Sequence, residues 1–419
     1  MKKRRRKIIL SLSLIVICLI SIQWVVPAIL LNQSKPDDGM AKEIEELSYY
    51  IDSYDESLKR FSLYEGQLKK MWKDVEYEKL PVGETGLTLD IIRADASEKK
   101  DNLLILTAGV HGIEGYAGSA MLDVVVQEFS KEMNPDHTGV ILIHAGNPWG
   151  MKNFRRYNEN NVDLNRNFIY DWDSFDLTMN KDYQELNTFF EKASPIGNST
   201  LHELGFLGSL ATEAVRSGTD KITDALLNGQ YTEKTGVYYG GTEDSSSTKL
   251  LKQQYRKALE SEYDNIVHID LHTGYGPRDQ MSIFSSAHEK MKQKQAEEAF
   301  QYPLVITPES DEFYATSGDN TEYFNLLQKE IAPNKHLYST TFEFGTLGMD
   351  TVASIKSLKN TIDENRLYQN GTNHENTEEI IKNRYREMFY PTDPEWRIKA
   401  VKDFRQGLTG VLINREVMD

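Results

Sequence analysis

The strongest pattern along the chain is an uncharged apolar run over residues 8–31, interrupted mildly by Ser11, Ser13, Ser21 and Gln23. A helix of about 20 residues crosses the hydrocarbon core of a bilayer, so this run is long enough to span one. Residues 32–39 are polar, contain Pro36-Asp37-Asp38-Gly39 and read as a linker. From residue 40 to 75, apolar positions recur by threes and fours at Ile44, Leu47, Ile51, Tyr54, Leu58, Phe61, Tyr64 and Leu68, the period of a helix. The period then changes. Residues 87–94 and 102–109 read as strands, the second a buried run at Leu103-Leu104-Ile105-Leu106. Residues 116–129 read as a helix and 139–145 as a buried strand closed by Gly146-Asn147-Pro148. Helical stretches follow near 181–191, 213–227 and 248–263, then strands at 265–272 and 302–307. A helix at 321–330, a strand at 338–344 and helices near 351–366 and 377–387 complete the series. Strands alternating with helices predict an α/β fold: a mixed, mostly parallel central sheet with helices on both faces, preceded by one N-terminal transmembrane helix. No repeat or compositional break divides the chain after residue 40. The expected organisation is therefore a basic cluster and anchor at 1–31, a linker and helix start at 32–50, and one domain at 51–419.

Charge sharpens this picture. The 419 residues include 48 Lys+Arg and 64 Asp+Glu, a formal net charge of −16. The basic residues of 2–7 are concentrated before the apolar run, so the rest is more acidic still. Nucleic acid is excluded as a partner, because a phosphate backbone requires a concentrated positive face. A basic cluster stays cytoplasmic, which places the following domain outside. The competing reading is a cleaved signal peptide with Val26-Pro27-Ala28 as its small-residue site, giving a secreted protein. The length of the run and Pro27 favour a retained anchor. The single cysteine, Cys18, lies inside the run, so the exported part has no disulfide. Ile17 before it speaks against a lipoprotein signal. The expectation is a single-pass bacterial cell-membrane protein with its domain extracellular.

Four segments carry candidate chemistry. Gly109-Val110-His111-Gly112-Ile113-Glu114-Gly115 follows a buried strand directly. Ligands in open α/β sheets sit at the carboxyl ends of strands, and a His and a Glu three apart in a Gly-rich turn can face one ion. Alone, His-x-x-Glu is common; a histidine bonded to a carbonyl and a solvated glutamate would explain it equally. In the second segment, His268, Asp270 and His272 share one face of a strand, and only His272 lies at its carboxyl end. We take His272 as a ligand and His268 as a packed histidine. Two histidines, a glutamate and an open position fit a catalytic zinc site. The third segment, residues 155–168, concentrates guanidinium and amide donors in an acidic protein, and arginine reads a carboxylate through two parallel hydrogen bonds. The fourth places Glu343 between Phe342 and Phe344 on a buried strand. Burial there is costly without a partner and raises the carboxyl toward the range useful for proton transfer.

Taken in order, these segments resemble the zinc metallocarboxypeptidase family, the carboxypeptidase A-like enzymes. The family's His-x-x-Glu with a distant His matches His111, Glu114 and His272. Its Asp-x-Asn-Arg-Asn matches Asp163-Leu164-Asn165-Arg166-Asn167, and its Thr-Phe-Glu matches Thr341-Phe342-Glu343. Tyr314-Ala315-Thr316-Ser317-Gly318 resembles its mobile tyrosine segment. The resemblance spans about residues 80–350. It implies one zinc ion held by His111, Glu114 and His272, and Glu343 as general base. Arg155 would stabilise the oxyanion, with Arg156 beside the substrate. Asn165 and Arg166 would grip a terminal carboxylate, Tyr314 would close over it, and Asp163 would orient His111. The implied function is hydrolysis of a C-terminal peptide bond.

Two departures widen the reading. Ile113 stands where carboxypeptidase A-like members carry an arginine that helps bind longer peptides. Asp270-Leu271-His272-Thr273-Gly274 resembles the succinylglutamate desuccinylase and aspartoacylase branch. An N-acyl amino acid deacylase or cell-wall peptide amidohydrolase is thus an alternative, as is a non-catalytic surface peptide-binding module. The expected partners are a peptide or acyl-amino-acid substrate with a free carboxylate, and the membrane. Thr321 falls near the expected pocket floor.

Overall fold

The computed structural model describes residues 13, 15–36, 44–310 and 316–418. The basic cluster at 2–7, part of the expected linker, and Tyr314 lie outside the described residues. Eight strands form one mixed sheet: β1 (Asp74–Pro81), β2 (Thr88–Asp95), β3 (Asn102–Ala108), β4 (Thr138–Ile143), β5 (Asn265–Gly274), β6 (Met281–Ser285), β7 (Val305–Ile306) and β8 (His336–Gly345). Their spatial order is β1-β2-β4-β3-β5-β8-β6-β7. The central β4, β3, β5 and β8 run parallel, while β1–β2, β2–β4 and β6–β8 pair antiparallel. The principal helices are α1 (Tyr54–Leu68), α2 (Gly115–Gln127), α3 (Lys181–Phe190), α4 (Ser199–Ser217), α5 (Thr219–Leu227), α6 (Ser246–Glu260), α7 (Gln293–Phe300), α8 (Asn320–Ile331), α9 (Thr351–Asn370), α10 (Glu375–Phe389) and α11 (Pro394–Asn414).

The continuous apolar run of β3 is explained by burial on both faces of the sheet. Leu104 and Leu106 pack with Val140, Leu142, Ile269 and Leu271 under α2 and α11, where Val124, Phe404 and Leu408 meet them. Leu103 and Ile105 pack on the opposite face with Ile141, Ile143 and Ile266, under Tyr255 and Leu259 of α6 and Phe324 and Leu327 of α8. In β8 the same alternation sends Phe342 and Phe344 to the first face. Glu343 therefore points to the other side, at the carboxyl end of the strand.

Several element boundaries differ from the sequence reading. The helix expected over 40–75 ends at Leu68, and the chain enters β1 at Asp74. This edge strand mixes charged and apolar positions and buries mainly Val75, so its period-2 signal is weak. The helix expected near 213–227 is two helices broken at Gly218, whose φ of 85° an L side chain rarely adopts. The first of them begins at Ser199, where the Asn198 side chain accepts from the backbone N–H groups of Thr200 and Leu201. β6, α7 and α11 are additional elements; α11 buries Val401, Phe404, Leu408, Val411 and Leu412. The N-terminal apolar helix spans Ile15–Ser34, with a mean hydropathy of 2.2 over its most apolar window and only 6% of that window buried. It is long and apolar enough to cross a membrane, and it touches the domain at α10 and α4.

Candidate active site

The site forms where β3, β5 and β8 end together. After β3 the chain makes a single tight turn, Gly112–Glu114. Its backbone is pinned from outside: the N–H groups of Gly112 and Ile113 donate to the carbonyls of Arg156 and Arg155 at 3.1 and 2.9 Å. A Cβ at Gly112 would lie 2.2 Å from the carbonyl carbon of Gly150, so the two turns approach this closely only through glycine. The turn brings His111 and Glu114 to the same side, and both are buried.

Opposite them, β5 delivers His272. The nearest ligand atoms of His111, Glu114 and His272 all lie within 4.8 Å of one another. His111 Nδ1 is 2.9 Å from Glu114 Oε1, His272 Nδ1 is 2.9 Å from Glu114 Oε2, and the two Nδ1 atoms are 3.0 Å apart. The other ring nitrogens face carboxylates: His111 Nε2 is 3.1 Å from Asp163 Oδ1, and His272 Nε2 is 2.8 Å from Asp270 Oδ2. With their Nε2–H groups directed at Asp163 and Asp270, both rings would turn their Nδ1 lone pairs inward to a cation bound between them and Glu114. Two inward lone pairs and a carboxylate make a donor set for a cation with nitrogen and oxygen preference.

The charges agree with that geometry. Burial works to raise Asp163, but Arg156 and His111 outweigh it and hold the carboxyl well below its usual range. Burial likewise opposes ionisation of Glu114 and Asp270, and the facing histidines overcome it in both. Glu114, Asp163 and Asp270 are thus ionised around the histidines, offset by Arg156, whose Nε donates to Asp163 at 2.8 Å. Burial works to lower His272, but Asp270 and Glu114 outweigh it and raise it well above the usual imidazole range, so the carboxylates hold a proton there that a bound cation would replace.

Glu343 lines the same cavity, on the strand next to His272. It is paired in register with His272, and its Oε1 accepts from the backbone N–H of Tyr275 at 3.0 Å. Burial first, and then the charge of Glu114, push its carboxyl up to about 8. The cavity has a volume of about 430 Å³ and includes His111, Glu114, Arg156, Arg166, His272 and Glu343 in its wall.

The residues expected from the sequence divide into two groups. His111, Glu114, His272, Asp163 and Glu343 are brought together as expected. Arg166 lines the cavity; its Nη atoms donate to the carbonyls of Asn165 and Leu227, while its buried Nε has no partner among the described residues. Asn165 also lines the cavity, but its amide is engaged: Nδ2 donates to Asp319, and Oδ1 accepts from the Asn320 backbone. Arg155 is not brought to the cavity. Its Nε donates to Glu364 at 2.6 Å, and its guanidinium stacks 3.5 Å from the ring centroid of Tyr368. Arg156, its neighbour, holds the position facing Glu114 and Asp163. The chain bends at Arg156 directly after the turn at Asn153–Phe154, and the two adjacent arginines point to different partners. His268 is a packed histidine, bonded to Thr107 and Ser339 and set against Tyr255 and Phe324. Thr321 lies in the cavity wall.

Three contributors were not assigned from sequence. Asp270 orients His272, and its place two residues earlier on the same strand face was the available signal. Asn320 donates to Asp270 Oδ2 at 2.8 Å, and the Thr273 N–H donates to Glu114 Oε2 at 3.0 Å. Both arise from tertiary approach and leave no local pattern.

Residues 50–403 match the family model described as "Protein of unknown function (DUF2817)". No curated protein matches the chain. Among solved structures, bovine thrombin-activatable fibrinolysis inhibitor in complex with tick carboxypeptidase inhibitor is 15% identical, with a TM-score of 0.42, covering 80% of this chain and 96% of that one. Murein-tripeptide amidase MpaA from Escherichia coli O157 is 16% identical, with a TM-score of 0.34, covering 72% of this chain and 95% of that one. A succinylglutamate desuccinylase from Silicibacter sp. TM1040 is 15% identical, with a TM-score of 0.34, covering 71% and 67%.

Proposed function

We propose that this chain, which belongs to the DUF2817 family, is a zinc-dependent hydrolase of a peptide or amide bond whose substrate carries a free carboxylate. The observation that carries the reading is the convergence of two Nδ1 atoms and the Glu114 carboxylate, with Glu343 beside His272 in the same cavity wall. His111, Glu114 and His272 would hold the ion. When bound, zinc supplies a Lewis acid that acidifies water and polarises a carbonyl.

The chain's own residues divide the remaining work. Glu343 takes a proton from the attacking water as oxygen adds to the scissile carbon, then delivers it to the leaving nitrogen as the C–N bond breaks. Arg156 faces the reaction centre and stabilises the developing oxyanion, the role that the resemblance assigned to Arg155. Arg166, in the cavity wall, receives the substrate carboxylate through its guanidinium. Asp163 and Asp270 hold the tautomers of His111 and His272. The apolar helix Ile15–Ser34 supports a membrane anchor, with the basic cluster inside and the hydrolase outside.

One observation favours a small substrate over an extended peptide. Ile113 is fully buried against Tyr385, Met388 and Phe389, so the turn offers no cationic side chain to a distant part of a peptide. The deacylase or cell-wall amidohydrolase reading follows from this. Both readings are tested by incubating the zinc-loaded full-length protein with a panel of acyl amino acids and short peptides, each with a free and an amidated C-terminus. Release only from the free acids is expected. Equal release from amidated substrates would remove Arg166 from carboxylate recognition, and a preference for peptides over acyl amino acids would restore the carboxypeptidase reading.

A further inference from the structure

Helix α4 presents its outer face the wrong way round for water. Leu201, Leu204, Leu207 and Val215 are 56%, 62%, 50% and 90% exposed. Leu201, Leu204, Gly208, Ala211 and Val215 follow one another at helical spacing and form a stripe, with Leu207 beside it. No charged side chain interrupts that stripe before Arg216. The helix does carry ionisable groups, but those before Arg216 turn inward. His202 Nε2 meets Asp363 at 2.6 Å, Glu203 is paired with Arg384 and Lys359, and buried Glu213 accepts from Ser217. Phe206 anchors the helix from below, with Phe189 and Ile222. In a chain with 27% charged residues, a helix that turns every ionisable group before Arg216 inward and exposes its leucines is built for apolar surroundings.

The apolar N-terminal helix identifies those surroundings. The Thr200 hydroxyl, at the start of α4, donates to the carbonyl of Ile22 at 3.1 Å. The α4 stripe therefore begins beside Ile22, two residues before Trp24. Trp24 is 70% exposed, and tryptophan collects at the boundary between lipid tails and headgroups. The uncharged run from Ile8 up to Trp24 would measure about 25 Å as a helix at 1.5 Å per residue. That is close to the hydrocarbon thickness of roughly 30 Å, so Trp24 and α4 fall at one membrane boundary.

We propose that α4 lies in the outer face of the bilayer, with Leu201, Leu204, Leu207 and Val215 inserted among the lipids, so that the domain is docked on the membrane as well as tethered to it. The inference rests on the reading of the N-terminal apolar run as a membrane span whose outer boundary lies near Trp24. The stripe carries no basic residue before Arg216 and the protein is acidic overall, so docking is driven by apolar area and does not need anionic lipid. Beneath α4, α9 contributes Ser357 to the cavity wall, and docking would hold that cavity at a fixed height above the lipid.

The test is spin-label depth measurement on the full chain in phosphatidylcholine nanodiscs. With Cys18→Ser as background, single labels are placed through Leu204→Cys, Val215→Cys, Val16→Cys and, as an aqueous reference, Glu185→Cys. Collision rates with oxygen and with a water-soluble nickel chelate report depth. At Leu204 and Val215 the oxygen-to-nickel ratio is expected to be several-fold above that at Glu185, approaching the value at Val16. An aqueous ratio at Leu204 and Val215 with a lipid ratio at Val16 overturns α4 docking and leaves the span intact. An aqueous ratio at Val16 removes the span and the docking together. Dipolar broadening between labels at Leu204 would assign the stripe to a second copy of the chain and also overturn the proposal.

Discussion

His272 and Glu343 stand directly opposite each other in the parallel register of β5 with β8. Registered neighbours in a parallel sheet send their side chains to the same face, so two strands distant in sequence deliver a candidate metal ligand and a candidate proton acceptor to one cavity. Glu343→Gln preserves shape and removes only the proton acceptor. We predict that kcat falls about 10²–10⁴-fold, while zinc binding by equilibrium dialysis stays unchanged. A variant that loses zinc in parallel with activity would make Glu343 a structural part of the metal cluster.

Asp270 acts on His272 at the atom facing away from the cluster. Asp270→Asn leaves the space filled but weakens the hold on the Nε2–H, and zinc affinity is expected to fall about 10–100-fold. Competition with a chromogenic chelator measures this directly. The same dependence should appear in stability. A ligand present at about 100 times its Kd adds about 2.7 kcal/mol, so removing zinc with a chelator should lower Tm, and restoring it should recover the loss.

Away from the metal cluster, His144 sets an acid limit on the fold. It is fully buried, its Nε2 lies 2.8 Å from the Ser57 hydroxyl, and burial, aided by Arg60, depresses its pKa from 6.5 to about 3. The unfolded chain therefore binds a proton between those values that the folded chain refuses, and stability falls as pH drops below about 6.5. At pH 5 the loss from this one group is about 2 kcal/mol. Urea unfolding at pH 7.5 and pH 5 reads it, and His144→Gln should flatten the difference by about that amount. An unchanged pH dependence in the variant would shift the acid limit to other groups, His268 among them.

The parts of the molecule legible in the sequence are those in which one local pattern has one physical cause. The run Leu103-Leu104-Ile105-Leu106 signals a strand covered on both faces, and the structure covers it on both faces. His111 and Glu114 share a single turn, so their spacing already constrains their geometry. β1 was obscured because its charged and apolar residues alternate imperfectly on an edge strand. The first half of α4 was obscured for the opposite reason: its leucines point outward, so its apolar period does not report a core. Asn320 and the Thr273 N–H reach the site only through the assembled sheet.

The adjacent arginines give the sharpest separation of fold from chemistry. Arg155 is buried in an ion pair with Glu364, and Arg156 faces Glu114 and Asp163 in the cavity wall. Arg155→Met leaves the Glu364 carboxylate buried beside an apolar chain, a change that costs about 3–5 kcal/mol. Turnover per folded molecule should then stay near its original value. Arg156→Lys keeps the positive charge that Asp163 needs but loses the planar fork of donors. Here the expected outcome is a fall in kcat of about 10²–10³-fold with a shift in the urea midpoint smaller than that of Arg155→Met. Measuring kcat and the unfolding midpoint on both variants decides the matter, because a fall in turnover confined to Arg155→Met would return the oxyanion role to Arg155.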